Sequence, residues 1–360
     1  MWQYIIYSSS AVLVSMVTGA VALFFISPKH VIYWLMRLDA KRSGMNVKYI
    51  KNKDFTYCYA ERGVKQKDKL TILAVHGFTG SKEQYLQFFK KLPSDVHLIA
   101  VDLPGHGLTS TPGEGDKLGI EYLVQHVHKF VKLMKLDKEP FHLVGASLGG
   151  AIVGLYTAEY PETVASLSLI CPAMKTPQHS LFTRTIEECI LNGIEKTEMK
   201  DCPLIPETSA AAQNMLDICL YNKKNINTQI LQGLVDLRKP KNPFFLQLFK
   251  ALASEHSTTL LEEKARKITV PTQIVWGKHD EVGHTQIVWG KHDEVGHTQI
   301  VWGKHDEIID MSGVDVLKEL LPNCQQVDII EKCGHSITLD RPGSLVKAIL
   351  TFRGEYQKKS

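Results

Sequence analysis

The chain has 360 residues, of which 44% are hydrophobic, and 42 Lys and Arg against 38 Asp and Glu give it a formal net charge of +4. This length can bury a full core, and the nearly balanced charge, without a basic run interleaved with aromatics, excludes nucleic-acid binding. The seven cysteines are an odd number without CxxC spacing, which fits neither a disulfide framework nor a zinc site. We therefore expect one large globular domain in a reducing compartment.

The N-terminus departs from the pattern of a globular chain. Residues 5–26 contain no charged side chain, and as a helix of about 33 Å they are long enough to cross a bilayer core. A cleaved signal peptide is the alternative, but no Lys or Arg precedes the apolar run. Positive charges follow the run instead, so the positive-inside rule places the rest of the chain in the cytosol. We predict a single-pass membrane anchor at residues 1–28.

A basic, amphipathic segment is expected at residues 29–46. Val31, Trp34, Leu35 and Leu38 recur at helical spacing between basic residues. Such an apolar stripe suits a helix that lies in the lipid headgroup region, or one that packs on the enzyme's own surface. The sequence leaves both interpretations open.

From residue 47 onward, short apolar runs alternate with helical stretches. Strands are expected at residues 47–50, 55–61, 70–75, 96–101, 141–144 and 166–171, and helices at 81–92, 120–136 and 148–160. Such alternation predicts an α/β fold with a mainly parallel sheet, which binds ligands at the carboxyl ends of its strands.

This alternation is interrupted once. Residues 172–267 have the pattern of Leu-, Phe- and Ile-rich helices that are separated by prolines. Because this stretch is too long for a loop, it predicts a helical cap inserted into the core. The core then comprises residues 47–171 and 268–360. Its last part predicts a strand from Thr272, a helix at 312–320, a strand at 327–330 and a helix at 344–352.

The candidate nucleophile is Ser147. The strand at 141–144 leads into GASLGG, residues 145–150, which contains G-x-S-x-G and opens a helix. A serine on a tight strand-to-helix bend is exposed to substrate, and flanking glycines give the backbone room. The strand-turn-helix context therefore predicts a serine hydrolase.

The other catalytic groups follow from chain order. His335, in EKCGHS after the last predicted strand, is the candidate base. The backbone N–H groups of Phe78, in HGF after the strand at 70–75, and of Leu148 are the candidate oxyanion donors. We assign structural roles to His76 and to Asp102, which begins the turn DLPGHG.

The motifs HGF, DLPGHG, GASLGG, WGKHDE and CGHS, in this order behind one apolar N-terminal segment, resemble the α/β-hydrolase family, and closely its membrane-anchored lipases. The resemblance covers nearly the whole chain. It implies hydrolysis of monoacylglycerols such as 2-arachidonoylglycerol, and of lysophospholipids, on the cytosolic face of late endosomes, lysosomes or other membranes. It implies no cofactor and names no protein partner.

One segment departs from the family pattern. Residues 272–307 contain the 13-residue phrase TQIVWGKHDEVGH twice in full and a third time in part, with one aspartate in each copy: Asp280, Asp293 and Asp306. The copying by itself explains the spacing of its five histidines, so we predict no metal site at His279, His284, His292, His297 and His305.

We choose Asp306 as the acid that orients His335. Copy three alone runs into residues 308–317, the loop and helix that resemble the family, and Asp306 stands 29 residues before His335. This choice predicts that copy three fills the strand, with the extra residues before it as a projecting hairpin; a new parallel strand is disfavoured, because each crossover needs a dozen or more residues. Asp280 and Asp293 remain alternatives, and copy one keeps the direct link to the cap.

Two other functions stay open on the sequence. A small-ester or carbon–carbon-bond hydrolase has the same fold and cap. A non-catalytic scaffold that binds membrane proteins belongs to a different class, and the intact Ser147, His335 and HGF motif argue against it. A serine esterase that is tethered to a bilayer and has a Leu- and Phe-rich cap over its pocket is expected to take an amphiphilic substrate that partitions into the bilayer.

Overall fold

The computed structural model describes residues 2–53, 55–253, 255–278, 299–300 and 306–357. One mixed sheet forms its centre, in the strand order β1-β2-β4-β3-β5-β6-β7-β9-β8. β1 and β2 form an antiparallel hairpin that pairs antiparallel with β4, and the remaining neighbours are parallel. The strands are β1 Asn46–Asn52, β2 Phe55–Arg62, β3 Ile72–Val75, β4 Leu98–Val101, β5 Phe141–Ala146, β6 Val164–Ile170, β7 Thr272–Lys278, β8 Gln299–Ile300 and β9 Cys324–Glu331.

Helices precede the sheet, connect its parallel strands and form the insertion between β6 and β7. They are α1 Trp2–Ile26, α2 Pro28–Arg42, α3 Leu86–Lys91, α4 Ile120–Leu133, α5 Leu148–Glu159, α6 Leu181–Leu191, α7 Ser209–Cys219, α8 Thr228–Arg238, α9 Asn242–Leu252, α10 Glu255–Ala265, α11 Ser312–Leu320, α12 Ile337–Asp340 and α13 Pro342–Gln357. Helices α6 to α10 lie in the segment for which the sequence predicts a cap.

The central strands are buried along their whole length. Every residue of β3, β4 and β5 is buried, which is why their sequences are continuous apolar runs rather than alternating ones. Helix α4 covers the sheet with one face: Leu123, Val127 and Phe130 are buried, at the spacing of an amphipathic helix. These elements place the carboxyl ends of β3, β5 and β6 side by side.

The predicted helix at 81–92 is divided into a 3-10 turn, Lys82–Tyr85, and the short helix α3. The Asp102 carboxylate accepts hydrogen bonds from the Lys82 backbone N–H (2.7 Å) and from Lys82 Nζ (2.9 Å). This buried contact anchors the first turn to the loop after β4. This contact joins residues that are distant in the sequence, so local periodicity cannot predict it, and it determines where the segment begins.

The repeat does not fill the sheet as predicted. Copy one forms β7, between β6 and β9 and parallel to both, and copy three forms β8 at the sheet edge, parallel to β9. The expectation that copy three would take the inner position was therefore wrong, and so was the argument against a new parallel strand. The connection from β7 to β8 spans residues 279–298, because it includes copy two, and that length satisfies the crossover requirement.

Copy one is fixed in the inner position by its neighbours. Ile268 and Val270, which lead into β7, are buried, so the chain enters the sheet directly from the cap. Within β7, Gln273 is buried and accepts a hydrogen bond from Ser168 (2.6 Å) while donating to Asp328 (2.6 Å).

The N-terminal segment forms two helices, α1 and α2. Among the described residues no helix meets, by itself, the length and hydropathy that a membrane crossing needs; Val14–Ile26 and Pro28–Arg42 meet them together, across a bend of 114°. In α2, Trp34, Leu35 and Leu38 are exposed, with Trp34 at 68%. The opposite face, with Ile32, packs on the protein, and Val31 of the predicted stripe is half-buried.

Candidate active site

Ser147 occupies the turn between β5 and α5. Its backbone has φ 56° and ψ −122°, a left-handed conformation that costs free energy in a non-glycine residue. The flanking glycines permit the turn: a Cβ at Gly145 would stand 2.2 Å from the Gly149 oxygen, and one at Gly149 would stand 2.2 Å from the Val75 oxygen. The turn therefore presents Ser147 at the carboxyl edge of the sheet, where the motif predicted it.

His335 follows β9 and bonds to the acid that the sequence favoured. Its Nδ1 lies 2.7 Å from Asp306 Oδ2, and Asp306 Oδ1 accepts hydrogen bonds from the backbone N–H groups of Ile308 (2.9 Å) and Ile309 (3.0 Å). Asp306 is buried, with 4% of its surface exposed. An ionised Asp306 accepts a hydrogen bond from Nδ1–H, which leaves Nε2 as the basic nitrogen.

Cys171 lies beside the Asp306–His335 pair, and the residue before it in the chain contacts Ser147. Atoms of Cys171, Asp306 and His335 lie within 4.8 Å of one another, and the Ser147 N–H donates to the oxygen of Ile170, the residue before Cys171. No hydrogen bond joins Ser147 to His335 in the described part of the chain. Catalytic bonds of this kind are often long without substrate and tighten in the complex.

The Cys171, Asp306 and His335 side chains are also a possible metal-ligand group among the described residues. Asp306 already accepts three hydrogen bonds, from the imidazole and from two amides, which occupy most of its acceptor positions. The arrangement suits orientation of an imidazole better than metal coordination.

The loop after β3 lies directly against Ser147. A Cβ added to Gly77 would stand 3.0 Å from Ser147 Cβ, and Phe78 and Leu148 line the same cavity as Ser147. Neither the Phe78 nor the Leu148 N–H donates a hydrogen bond to a described residue. Both donors are thus available beside the serine.

His76 and Asp102 have structural contacts. Buried His76 donates from Nδ1 to the Gly77 oxygen (2.8 Å) and accepts from the Leu103 N–H at Nε2 (3.0 Å), and burial lowers its pKa. Asp102 accepts from Lys82 and from the Leu108 N–H (2.9 Å). Both residues join the loops after β3 and β4 and leave no ring nitrogen or carboxylate oxygen for Ser147.

An apolar cavity of about 760 Å³, its open mouth included, extends from Ser147 beneath the cap. The sequence predicted an apolar cap but not which of its side chains line the cavity beside Ser147, because three cap helices, α6, α9 and α10, contribute two or three residues each. The cavity is lined by Phe78, Ile120, Ser147, Leu148, Ala173, Met174, Phe182, Thr183, Ile186, Leu204, Phe249, Leu252, Ala253, Ser257, Thr258, Ile308 and Ile309.

The alternative acids Asp280 and Asp293 lie outside the described residues, as do the histidines for which no metal role was predicted: His279, His284, His292, His297 and His305. Sequence reasoning missed Arg238, whose guanidinium contacts the loop that carries Phe78. No motif marks Arg238, since its partner is distant in the chain.

Comparison with known proteins first defines the class. Residues 71–194 match the family described as alpha/beta hydrolase fold. The structure of a bacterial membrane phospholipase A superposes with a TM-score of 0.75 at 23% identity, covering 99% of both chains, and has the same fold. Both matches give the chain the α/β-hydrolase fold, as the motifs predicted.

Comparison of sequences then gives its relatives within that class. The chain is 39% identical over 336 residues to the Homo sapiens protein named monoacylglycerol lipase ABHD6, covering 92% of this chain and 89% of the relative. It is 38% identical over 327 residues to monoacylglycerol lipase abhd6-A of Xenopus laevis, covering 90% and 86%. The chain belongs to this lipase family of α/β-hydrolases.

Proposed function

We propose that the chain is a membrane-anchored lipase that cleaves monoacylglycerols, such as 2-arachidonoylglycerol, to free fatty acid and glycerol. The observation that carries the proposal is the hydrogen-bonded Asp306–His335 pair at the same edge of the sheet as Ser147, which lines an apolar cavity. Lysophospholipids, which also join one acyl chain to a polar head, are a further substrate class.

Ser147, His335 and Asp306 act as nucleophile, base and orienting acid. His335 Nε2 removes the Ser147 proton as Oγ attacks the ester carbonyl, and Asp306 stabilises the resulting imidazolium. The Phe78 and Leu148 N–H groups bind the oxyanion of the tetrahedral intermediate. His335 then gives its proton to the leaving glycerol oxygen. In the second half of the reaction His335 takes a proton from water, which attacks the acyl carbonyl, and returns it to Ser147 Oγ as the bond from Oγ to the fatty acid breaks.

The lining of the cavity supports an acyl chain as the bound group. Most of its side chains are aliphatic or aromatic, including Phe182, Ile186, Phe249 and Leu252, and burial of each methylene contributes about 0.8 kcal/mol. The names of the relatives support a monoacylglycerol.

The membrane association is part of the proposal. Residues 1–28 anchor the enzyme to the bilayer as a single-pass segment, and the catalytic domain faces the cytosol of late endosomes, lysosomes or other internal membranes. The exposed apolar side chains Trp34, Leu35 and Leu38 of α2, flanked by basic residues, support contact with an anionic bilayer surface.

A series of monoacylglycerols with acyl chains from two to twenty carbons, presented in lipid vesicles, tests the substrate class. We expect kcat/KM to rise at least about 100-fold from the acetyl to the long-chain esters, because each methylene adds buried apolar surface. Preference for acetyl and butyryl esters would indicate a small-ester hydrolase instead. Absence of turnover across the series would favour the scaffold interpretation.

A further inference from the structure

Arg238, the last residue of α8, reaches from the cap into the loop that carries Phe78. Its Nη2 donates to Thr79 Oγ1 (2.7 Å) and to the Leu204 backbone oxygen (3.3 Å), and the Thr79 hydroxyl donates to the same oxygen (3.2 Å). One cation therefore joins three segments: α8, the loop after β3 and the chain before α7.

The environment of Arg238 is unusual for an arginine. It forms no ion pair with any carboxylate among the described residues, and its Nε is buried without a partner in the same part of the chain. Burial lowers the pKa of its guanidinium. Arg238 is partly buried. Because a partly buried cation without a carboxylate partner is costly, an apolar side chain would serve packing alone better.

Thr79 needs external support. Its φ is 54°, a left-handed conformation that strains a β-branched residue. Relaxation of Thr79 towards negative φ would turn the peptide that joins it to Phe78 and would shift the Phe78 Cα, and with it the Phe78 N–H on the other side of that atom. The hydrogen bond from Arg238 opposes that rotation from the cap side, while the bond from the Gly77 N–H to Gln84 Oε1 (2.9 Å) fixes the start of the loop.

Helix α8 is itself held in place. A Cβ at Gly233 would stand 2.8 Å from Ile32 Cγ1 and 3.1 Å from the Pro28 oxygen, so α8 packs closely on α2. On its other side, Leu231 and Val235 form a small buried cluster with Ala212 of α7. Arg238 therefore lies at the end of a helix that packs against α2 on one face and against α7 on the other.

We propose that Arg238 is a positioning residue that holds Thr79, and through it the Phe78 N–H, in the geometry that binds the oxyanion. The inference rests on the proposed oxyanion role of Phe78. It makes the cap a contributor to stabilisation of the transition state, and not only a cover for the acyl chain.

The test compares Arg238→Met, Thr79→Val and the double variant with the wild type, on a water-soluble nitrophenyl ester and with protein normalised by active-site titration. Thr79→Ser keeps the hydroxyl and Arg238→Lys keeps the charge. We expect each of the first two variants to lower kcat about 10- to 100-fold with KM within about threefold, because the oxyanion exists only in the transition state. The double variant should be no slower than the slower single variant, and Thr79→Ser should retain wild-type kcat.

Independent, multiplicative losses in the double variant would overturn the inference, because the two residues would then not act through one bond. Changes in KM alone, including a selective loss on anionic esters, would also overturn it and assign Arg238 to binding the head group. If Arg238→Met does not fold, the contrast between Thr79→Val and Thr79→Ser decides, and equal kcat values for these two would refute the role of the hydroxyl.

Ser147→Ala in the same assay separates the two proposals. If the Ser147→Ala protein is active, both the proposed function and this inference are contradicted. If the Ser147→Ala protein is inactive but the Arg238→Met and Thr79→Val losses multiply in the double variant, only the inference is contradicted.

Discussion

Asp306 makes three hydrogen bonds, one to the His335 ring and two to the amides of Ile308 and Ile309. The two amides hold the carboxylate in one orientation, so that only its second oxygen faces the imidazole. Copy three is the only copy followed by residues 308–309, and this sequence context supports the choice among three identical phrases.

We predict that Asp306→Asn lowers kcat about 1,000-fold or more, because the amide does not stabilise the imidazolium and favours the wrong tautomer of His335. The matched controls, Asp280→Asn and Asp293→Asn, change the same residue in the same phrase and should keep near-wild-type turnover. The measurement is kcat on one long-chain monoacylglycerol. Full activity of Asp306→Asn with loss in Asp280→Asn would move the acid to copy one.

Residues with a local signature could be predicted from the sequence, and residues without one could not. Ser147 lies in a motif that prescribes its own turn, and His335 follows a recognisable strand. The bond between Arg238 and Thr79 joins positions 159 residues apart, and neither residue lies in a chemical pattern. Such pairs depend on the folded cap and become visible only in three dimensions.

At the scale of elements, apolar runs predicted the inner strands well because both faces of the sheet are covered. The repeat shows the limit of this reasoning. Its copies have identical strand propensity and identical side chains, so the choice between them depends on what flanks each copy, and the buried Ile268 and Val270, which lead from the cap into β7, precede copy one alone. Copy three pairs only along Gln299–Ile300 in the described structure.

Helix α10 contains a titratable group suited to a stability test. Burial raises the pKa of the Glu262 carboxyl from its ordinary 4.5 to about 7, and its Oε2 has no partner among the described residues. The folded state thus binds this proton more tightly than the unfolded state does. The resulting stabilisation is full below about pH 4.5 and is lost as the pH rises through about 7.

We predict that Glu262→Gln, which removes the buried charge, raises the free energy of unfolding at pH 8 by on the order of 1 kcal/mol, a value reduced for partial exposure. At pH 4.5 the variant should match the wild type. Denaturant unfolding at the two pH values measures the difference, with exposed Glu263→Gln as the control. An equal effect of Glu262→Gln at both pH values would contradict the raised pKa.

At the scale of the whole molecule, α1 and α2 differ in their relation to the core. Exposed apolar side chains of α1 include Val14, Val17 and Ile26, whereas Pro28 and Ile32 of α2 pack against Gly233 of the cap. Removal of α1 should therefore leave the fold and the site intact.

We predict that deletion of residues 1–26 moves the protein from the carbonate-resistant membrane fraction to the soluble fraction, because the apolar N-terminal segment is lost. Its kcat on a water-soluble ester should stay within about twofold of the full chain, since α2 and the cap are kept. A truncated protein that resists carbonate extraction would require another membrane-embedded element.

The central claim is that Ser147 is an activated nucleophile, and covalent labelling by a fluorophosphonate tests it most directly. Only a serine deprotonated by a neighbouring base reacts readily with such a probe. We predict one adduct per chain, located by peptide mass spectrometry on Ser147, and no adduct in Ser147→Ala; Ser257→Ala, in the same cavity, should label like the wild type. An adduct on another residue, or labelling that persists in Ser147→Ala, would contradict the account.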